Sequence, residues 1–374
     1  MTSRVRTFGV EEEYLLVDSS TFVPAPIAPA LLRAARVSWS GTLTAELKAE
    51  QIEAVGRPQR SHADLLAGVL EGRCAADDAA RSAGGRAVAL ATSPAAFTPH
   101  LSEDERYGRI AEHFGLTSRQ HFTCGLHVHV GIDSPEEGIA VLDRIRGWLP
   151  ALLALSANSP LEHGTDTGYQ SWRYQSWGRP TAGPADLWQD LAHYRRVVTA
   201  VTSSGALLDE GMLYFDARLS HTHPTVEVRI SDVPLHAQDA ALIAVLVRAL
   251  VGTAARDARA GTPPLPIPTP VLAASSWLAS RFGITGDLID PVSGCPVPAR
   301  TMLARLLHHV RDALEDAGDS DTASSAAERI LHRGTGAQRQ REIWCSSGDP
   351  GAVIADAARL TQRKGIVPLA RTGS

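Results

Sequence analysis

Lysine is nearly missing. Of 36 basic residues in a chain of 374, only Lys48 and Lys364 are lysine. A phosphate loop ending in Lys-Ser/Thr therefore does not occur. Any polyphosphate has to be held by arginine, metal ions or backbone N–H groups. Cysteine is also scarce: Cys74, Cys124, Cys295 and Cys345 are scattered, and no two have Cys-x-x-Cys spacing. That excludes the common zinc and dithiol motifs and predicts reduced thiols in a cytoplasmic protein. No charge dominates; the net charge is −5, so there is no basic footprint and no nucleic-acid partner is expected. Long hydrophobic runs are absent too. The longest, Ala240 to Ala255, is interrupted by Arg248 and falls short of the roughly 20 residues a membrane span needs. It predicts a core helix, and no membrane partner is expected. Met1 to Val10 lacks the apolar region of a signal peptide. What is there is ordinary for a folded protein: 44% hydrophobic and 21% charged residues, which excludes a disordered or fibrous chain.

The pattern predicts strands at Val5–Val17, Arg86–Ala91, Phe122–Ile132, Met212–Arg218 and Thr225–Ile230. Leu43–Val55 reads as a strand or a two-turn helix. Ser61, with Asp64 three residues on, starts a helix carrying Leu65, Leu66, Val69, Leu70 and Cys74 on one side. Ser134-Pro135-Glu136-Glu137 starts another. Further helices are expected at Asp186–Val201 and Ala237–Ala258. Gly261 to Pro270 holds five prolines and reads as a linker, followed by an almost wholly helical part. Strands clustered without steady βα alternation predict an α+β fold with a mainly antiparallel sheet. The chain reads as a single catalytic domain, 1–374, with a mainly helical C-terminal part from about 271–363.

Three strand segments place polar groups at i and i+2, which share a face. Glu11 and Glu13 pair in Phe8–Tyr14, although Glu12 spoils the apolar face there. His127 and His129 alternate with Leu126, Val128 and Val130. Glu227 and Arg229 alternate with Val226, Val228 and Ile230. In one sheet these would give an apolar face for helices and a second face of Glu, His and Arg. Crowded carboxylates repel unless cations sit between them. Mg²⁺ prefers oxygen ligands and keeps substrate phosphates as co-ligands, and Arg229 suits a phosphate oxygen. Glu46 and Glu53 add carboxylates seven apart, which share a face on a helix and align on a strand only through a bulge; an exposed charged segment around Lys48 reads equally well from the spacing. The loop Gly168–Pro180 packs four aromatics and two arginines, Arg173 and Arg179, into 13 residues. It reads as a substrate mouth or as an aromatic plug. Gly334–Arg341 offers Arg339 and Arg341 to phosphates, or is a capped helix start with solvated arginines. His308-His309 and His221/His223 read as structural or exposed. Cys124 has no evident base and is not a nucleophile.

Phe8-Gly9-Val10-Glu11-Glu12-Glu13, Glu46 with Gln51-Ile52-Glu53, Cys124-Gly125-Leu126-His127-Val128-His129-Val130-Gly131 and Val226-Glu227-Val228-Arg229 together resemble the glutamate–cysteine ligase type 2 family, also called carboxylate–amine ligases. The resemblance runs in order from about residue 6 to about 360 and includes the Arg173–Pro184 loop and Gly336–Arg341. It implies a glutamine-synthetase-like fold: an antiparallel sheet curved around the site, with helices on its outer face. It also implies ATP, Mg²⁺ and small-molecule substrates. The reaction implied phosphorylates a carboxylate, that of L-glutamate or another acid; the amine of L-cysteine or another amine then displaces the phosphate. By position, Glu11, Glu13, Glu53 and Glu227, with Glu46 in addition, match metal-binding carboxylates. His127 and Arg229 match groups near the transferring phosphate, and Arg173 and Arg179 the acid substrate's carboxylate. His129, Arg339 and Arg341 are further candidates for substrate or nucleotide. A homo-oligomer is compatible with the sequence. Two rivals stand beside this: a zinc-dependent amidohydrolase using His-x-His, and a non-catalytic binder of nucleotide or amino acid.

Overall fold

The computed structural model describes residues 5–34, 39–176 and 178–362. Trp177 of the aromatic loop and Lys364 lie outside them. The strands are β1 (Phe8–Asp18), β2 (Thr42–Ala45), β3 (Gln51–Val55), β4 (Gly85–Val88), β5 (Gly125–Gly131), β6 (Leu161–Glu162), β7 (Thr165–Asp166), β8 (Ala217–Leu219), β9 (Thr225–Asp232), β10 (Asp287–Ile289) and β11 (Pro296–Pro298). Seven of them form one sheet in the order β2-β3-β1-β5-β9-β8, with β4 also paired to β1. All its pairings are antiparallel. This is the α+β architecture expected, and it excludes the parallel βα barrel that the amidohydrolase rival requires.

Alternation supplies the helix-facing side. Val10, Leu126, Val128, Val130, Val226, Val228 and Ile230 join one buried cluster with the helix Ala237–Arg259. That helix is apolar on nearly all sides because it is covered on nearly all sides. The sheet and the helices His62–Ser82 and Pro135–Ile145 touch it, and Arg311–Ala317 and Ser320–Arg333 pack on it as well. It is long and apolar enough to cross a membrane by composition, yet it is buried in the fold. The arginine that interrupts it is used. Arg248 donates to Arg60 O at 2.6 Å, pairs with Asp319, and lies 4.0 Å over the Phe8 ring.

Local signals explain where elements start. The Ser61 hydroxyl accepts from Asp64 N at 3.1 Å, and the Ser134 hydroxyl from Glu137 N at 3.2 Å. The helix expected from Asp186 begins only at Leu191, under the cap of Asp190. The preceding residues are held out of the helix, because the Trp188 and Gln189 amides donate to the Asp143 carboxylate. Leu43–Val55 is neither one strand nor a helix. It is β2 and β3 joined by a turn, pinned from outside by Ala49 N to His100 O at 2.9 Å and Lys48 Nζ to Arg119 O at 2.9 Å. The strand expected at Met212–Arg218 shrinks to Ala217–Leu219, because Glu210–Met212 forms a 3₁₀ turn.

Glu12 does point into the helix layer, as β1 alternation demands. It is rescued by Arg73, which donates to its two carboxylate oxygens at 2.6 and 3.0 Å and to the Leu235 and Pro234 carbonyls at 2.8 Å. Tyr14 Oη adds a 2.6 Å hydrogen bond to Glu12. Both ion-pair partners are buried. Arg73→Met leaves the Glu12 charge without its counter-ion. A loss of about 3–5 kcal/mol in unfolding free energy is expected, read by denaturant titration; a loss under about 1 kcal/mol would show that the pair does not hold the helix to the sheet.

Candidate active site

The opposite face of the sheet carries the polar residues, and strand register brings them together. Glu11 lies across from His127 and Glu13 across from Glu53. Thr44 faces Glu53, His129 faces Glu227, and Arg218 faces Glu227. A polar band thus runs across six neighbouring strands. The β5–β9 pairing slips between Leu126 and Val128, a local irregularity next to His127.

These side chains line an acidic chamber of about 250 Å³. His127 Nδ1 is 3.4 Å from Glu11 and 3.9 Å from Glu53; His129 Nε2 is 3.4 Å from Glu11. The other His129 nitrogen, Nδ1, meets Thr225 Oγ1 at 2.9 Å. Glu227 is gripped by Arg218 at 2.8 and 3.3 Å and by Arg229. Burial raises the Glu227 carboxyl, but Arg229 and Arg218 outweigh it and hold the group well below the usual carboxylate range. Burial likewise opposes the charge on Glu11, yet the His127 and His129 contacts hold it low. Burial, then Arg229, pushes His127 down, so its imidazole stays neutral.

Glu46 and Glu53 behave in the opposite way. Burial, then Glu13, pushes Glu46 up to about 8, and burial, then Glu46, pushes Glu53 well above its ordinary value. No arginine pairs with either among the described residues. Three sets of donors each lie within 4.8 Å of one another: Glu13, Glu46 and Glu53; Glu11, Glu53 and His127; and Glu11, His129 and Glu227. The first is all oxygen, the donor type of Mg²⁺. Repelling buried carboxylates of this kind fit a divalent cation, which would remove the cause of their raised values. A carboxyl raised in the folded state holds its proton more tightly there than when unfolded. Stability is then lost as pH rises through the folded value, near 8 for Glu46. Without divalent cation the melting temperature is expected to fall from about pH 5 to about pH 8. Mg²⁺ should flatten that slope, and an identical slope with and without the ion would remove these carboxylates as its ligands.

A second chamber of about 330 Å³ adjoins the first. His127, Glu13, Arg179, Tyr214 and Arg229 line both. Its walls are Arg173, Tyr174, Gln175, Phe215, Asp216 and Trp277. Arg173 is the second residue of the short helix Trp172–Ser176 and reaches the sheet, 3.3 Å from the Ile230 and Arg229 carbonyls. Its Nε is buried without a hydrogen bond. A methyl group on Gly125 would come within 2.3 Å of this guanidinium, so glycine there makes room for it. Arg179 stacks on Tyr214 at 5.1 Å and Phe114 at 5.3 Å. The aromatic loop is therefore a chamber wall rather than a plug.

Two candidates lie elsewhere. Arg339 and Arg341 sit on the helix Gly336–Ser347, whose start carries the Thr335/Gln338 capping box. Arg339 is taken by Asp356 at 2.9 and 3.0 Å, and Arg341 by Asp166 at 2.7 and 2.8 Å. Neither lines either of the two chambers; the capped helix start is there, but both arginines are half-buried in ion pairs rather than solvated. His221, read as structural or exposed, is exposed and lines the acidic chamber. Cys124 is fully buried, and burial pushes its thiol well above its ordinary value. Sequence reasoning missed Arg218, Tyr214 and Asp216. Arg218 had a signal: it is the polar residue between Ala217 and Leu219 in a short strand.

Comparison with known proteins gives the family and the fold. The model of glutamate–cysteine ligase family 2 matches residues 7–354. A Paenarthrobacter aurescens protein named "Putative glutamate--cysteine ligase 2-1" is 47% identical over 96% of both chains. One of the same name from Streptomyces avermitilis is 45% identical over 96% of this chain and 100% of its own. In structure, the chain resembles glutamate–cysteine ligase of Francisella tularensis, solved with AMP: TM-score 0.71, 12% identity, 98% of this chain and 91% of that one. A bifunctional glutathione synthetase from Pasteurella multocida matches at TM-score 0.67 and 15% identity, over 96% of this chain and 52% of its own. At such identities these two show a shared fold. The family match and the close relatives settle the class: the chain belongs to glutamate–cysteine ligase family 2 and is an ATP-dependent carboxylate–amine ligase.

Proposed function

We propose that this ligase uses ATP and Mg²⁺ in the cytoplasm to convert the carboxylate of an amino acid into an acyl phosphate, which an amine then converts into an amide. L-glutamate is the first candidate acid and L-cysteine the first candidate amine, by family resemblance. The carrying observation is the junction of two unlike chambers at His127 and Arg229. One is built of carboxylates and the other of arginines and aromatics. Glu11, Glu13, Glu46, Glu53 and Glu227 would hold the metal, which when bound supplies charge neutralisation for the phosphates. Phosphoryl transfer asks the protein for positioning and charge more than for covalent help. Arg229, at the junction, faces the transferring phosphoryl group. Neutral His127 offers a hydrogen bond beside it, and His129 stands next to the nucleotide. The buried guanidinium of Arg173, with Arg179, receives the acid substrate's free carboxylate. The test is ADP release screened over amino acids and amines, with mass detection of the amide. No ADP above background with any pair would sink the proposal.

A further inference from the structure

Outside the acidic chamber, where Glu13, Glu46 and Glu53 also stand without an ion pair, the buried carboxylates among the described residues are well supplied with donors, except Asp216 in the second chamber. Asp232 accepts from Asn158 N and from the Ser159 and Ser171 hydroxyls at 2.7–2.8 Å. Asp77 takes Arg81 and Arg86, and Asp239 takes Arg333. Asp216 is only 6% exposed, yet among the described residues it has no ion pair and one side-chain hydrogen bond, from Tyr174 Oη at 3.2 Å. It stands two residues before Arg218 and lines the arginine–aromatic chamber. Tyr174 and Arg173 face it from the helix Trp172–Ser176, and Ser276 reaches Tyr174 from the helix Thr269–Phe282. On β9 the Arg229 amide donates to its backbone carbonyl. Burial pushes Asp216 up to about 7, against Tyr174 and Arg173. A buried carboxylate short of donors, in a cavity otherwise rich in arginine, is matched by a cationic N–H donor arriving from outside.

We infer that Asp216 receives the acceptor amine: it binds the incoming ammonium and takes the proton that the nitrogen must lose before it attacks. This rests on the acyl-phosphate reading above. One N–H bond breaks and its proton passes to the Asp216 carboxylate. The freed electron pair forms the C–N bond, the C–O bond to phosphate breaks, and its electrons leave with the phosphate. A second proton from the amine nitrogen goes to that phosphate, leaving a neutral amide. Glu13, the chamber's other acid, already accepts the Gly125 amide and lines the acidic chamber.

The test sets two acceptors against each other. Hydroxylamine is largely unprotonated at neutral pH and needs no base; an ordinary amine arrives as ammonium. Wild type, Asp216→Asn and Asp216→Glu are assayed with hydroxylamine and with the amine that gives wild type most amide in the screen. Asp216→Asn is expected to lose about 10²–10⁴-fold in amide formation and far less in hydroxamate formation, which also reports a folded site. Asp216→Glu, which keeps the carboxylate, should retain more of the amine reaction than Asp216→Asn. Equal losses with both acceptors, or no loss with either, overturn the inference while leaving the ligase reading intact. A wild type that forms hydroxamate but no amide overturns it as well, and one that forms neither removes the acyl-phosphate reading with it.

Discussion

Glu227→Gln is expected to reduce ATP turnover at least about 100-fold at saturating Mg²⁺. Glu227 lies opposite both His129 and Arg218 and is the acid that Arg229 grips. Glutamine has the same shape, so packing is kept. The change removes one negative charge from a chamber whose other acids are already crowded, and it leaves two buried arginines without their shared counter-ion. Arg218 keeps its hydrogen bonds to the Gly211 and Leu213 carbonyls at 2.9 Å, so the strand should stay in place. Turnover is measured by coupled ADP assay against Mg²⁺ concentration, with the melting temperature as a control on folding. Unchanged turnover would remove Glu227 from the reaction.

Arg229→Lys is the second large effect. The substitution keeps the charge, so a role in simple ion pairing would survive it. A planar fork at the junction of the chambers can hold Glu227 with one edge and offer the other to a phosphoryl oxygen; an ammonium cannot do both. Removing one such donor typically costs about 10²–10³ in turnover. Because the contact is made most fully to developing charge, kcat should fall more than KM for ATP rises. Near-wild-type kcat with unchanged ATP affinity would leave Arg229 with a structural task only.

The polar face was legible because strands obey a two-residue period: His127 with His129 and Glu227 with Arg229 could be placed before any coordinates. Glu46 was less so, because the turn that returns the chain from β2 to β3 is held by His100 and Arg119, and distant partners leave no mark on local spacing. Arg339 and Arg341 show the converse. Their helix start was readable, but Asp356 and Asp166, which take up their charge, lie elsewhere in the sequence. Asp216 was invisible for a third reason. It stands out by having no ion pair among the described residues and a single side-chain donor, Tyr174, and a sequence cannot show how many partners a buried acid finds.

The Glu12–Arg73 contact bears on how β1 finds its place. On most strands a slip by one residue merely trades oily side chains for wet ones. Here it would drive Glu11 and Glu13 into hydrocarbon and pull Glu12 away from its counter-charge, Arg73. Misaligned pairing is therefore penalised by charge on both sides at once, and the strand that assembles the acidic chamber is also the one least able to form in the wrong frame.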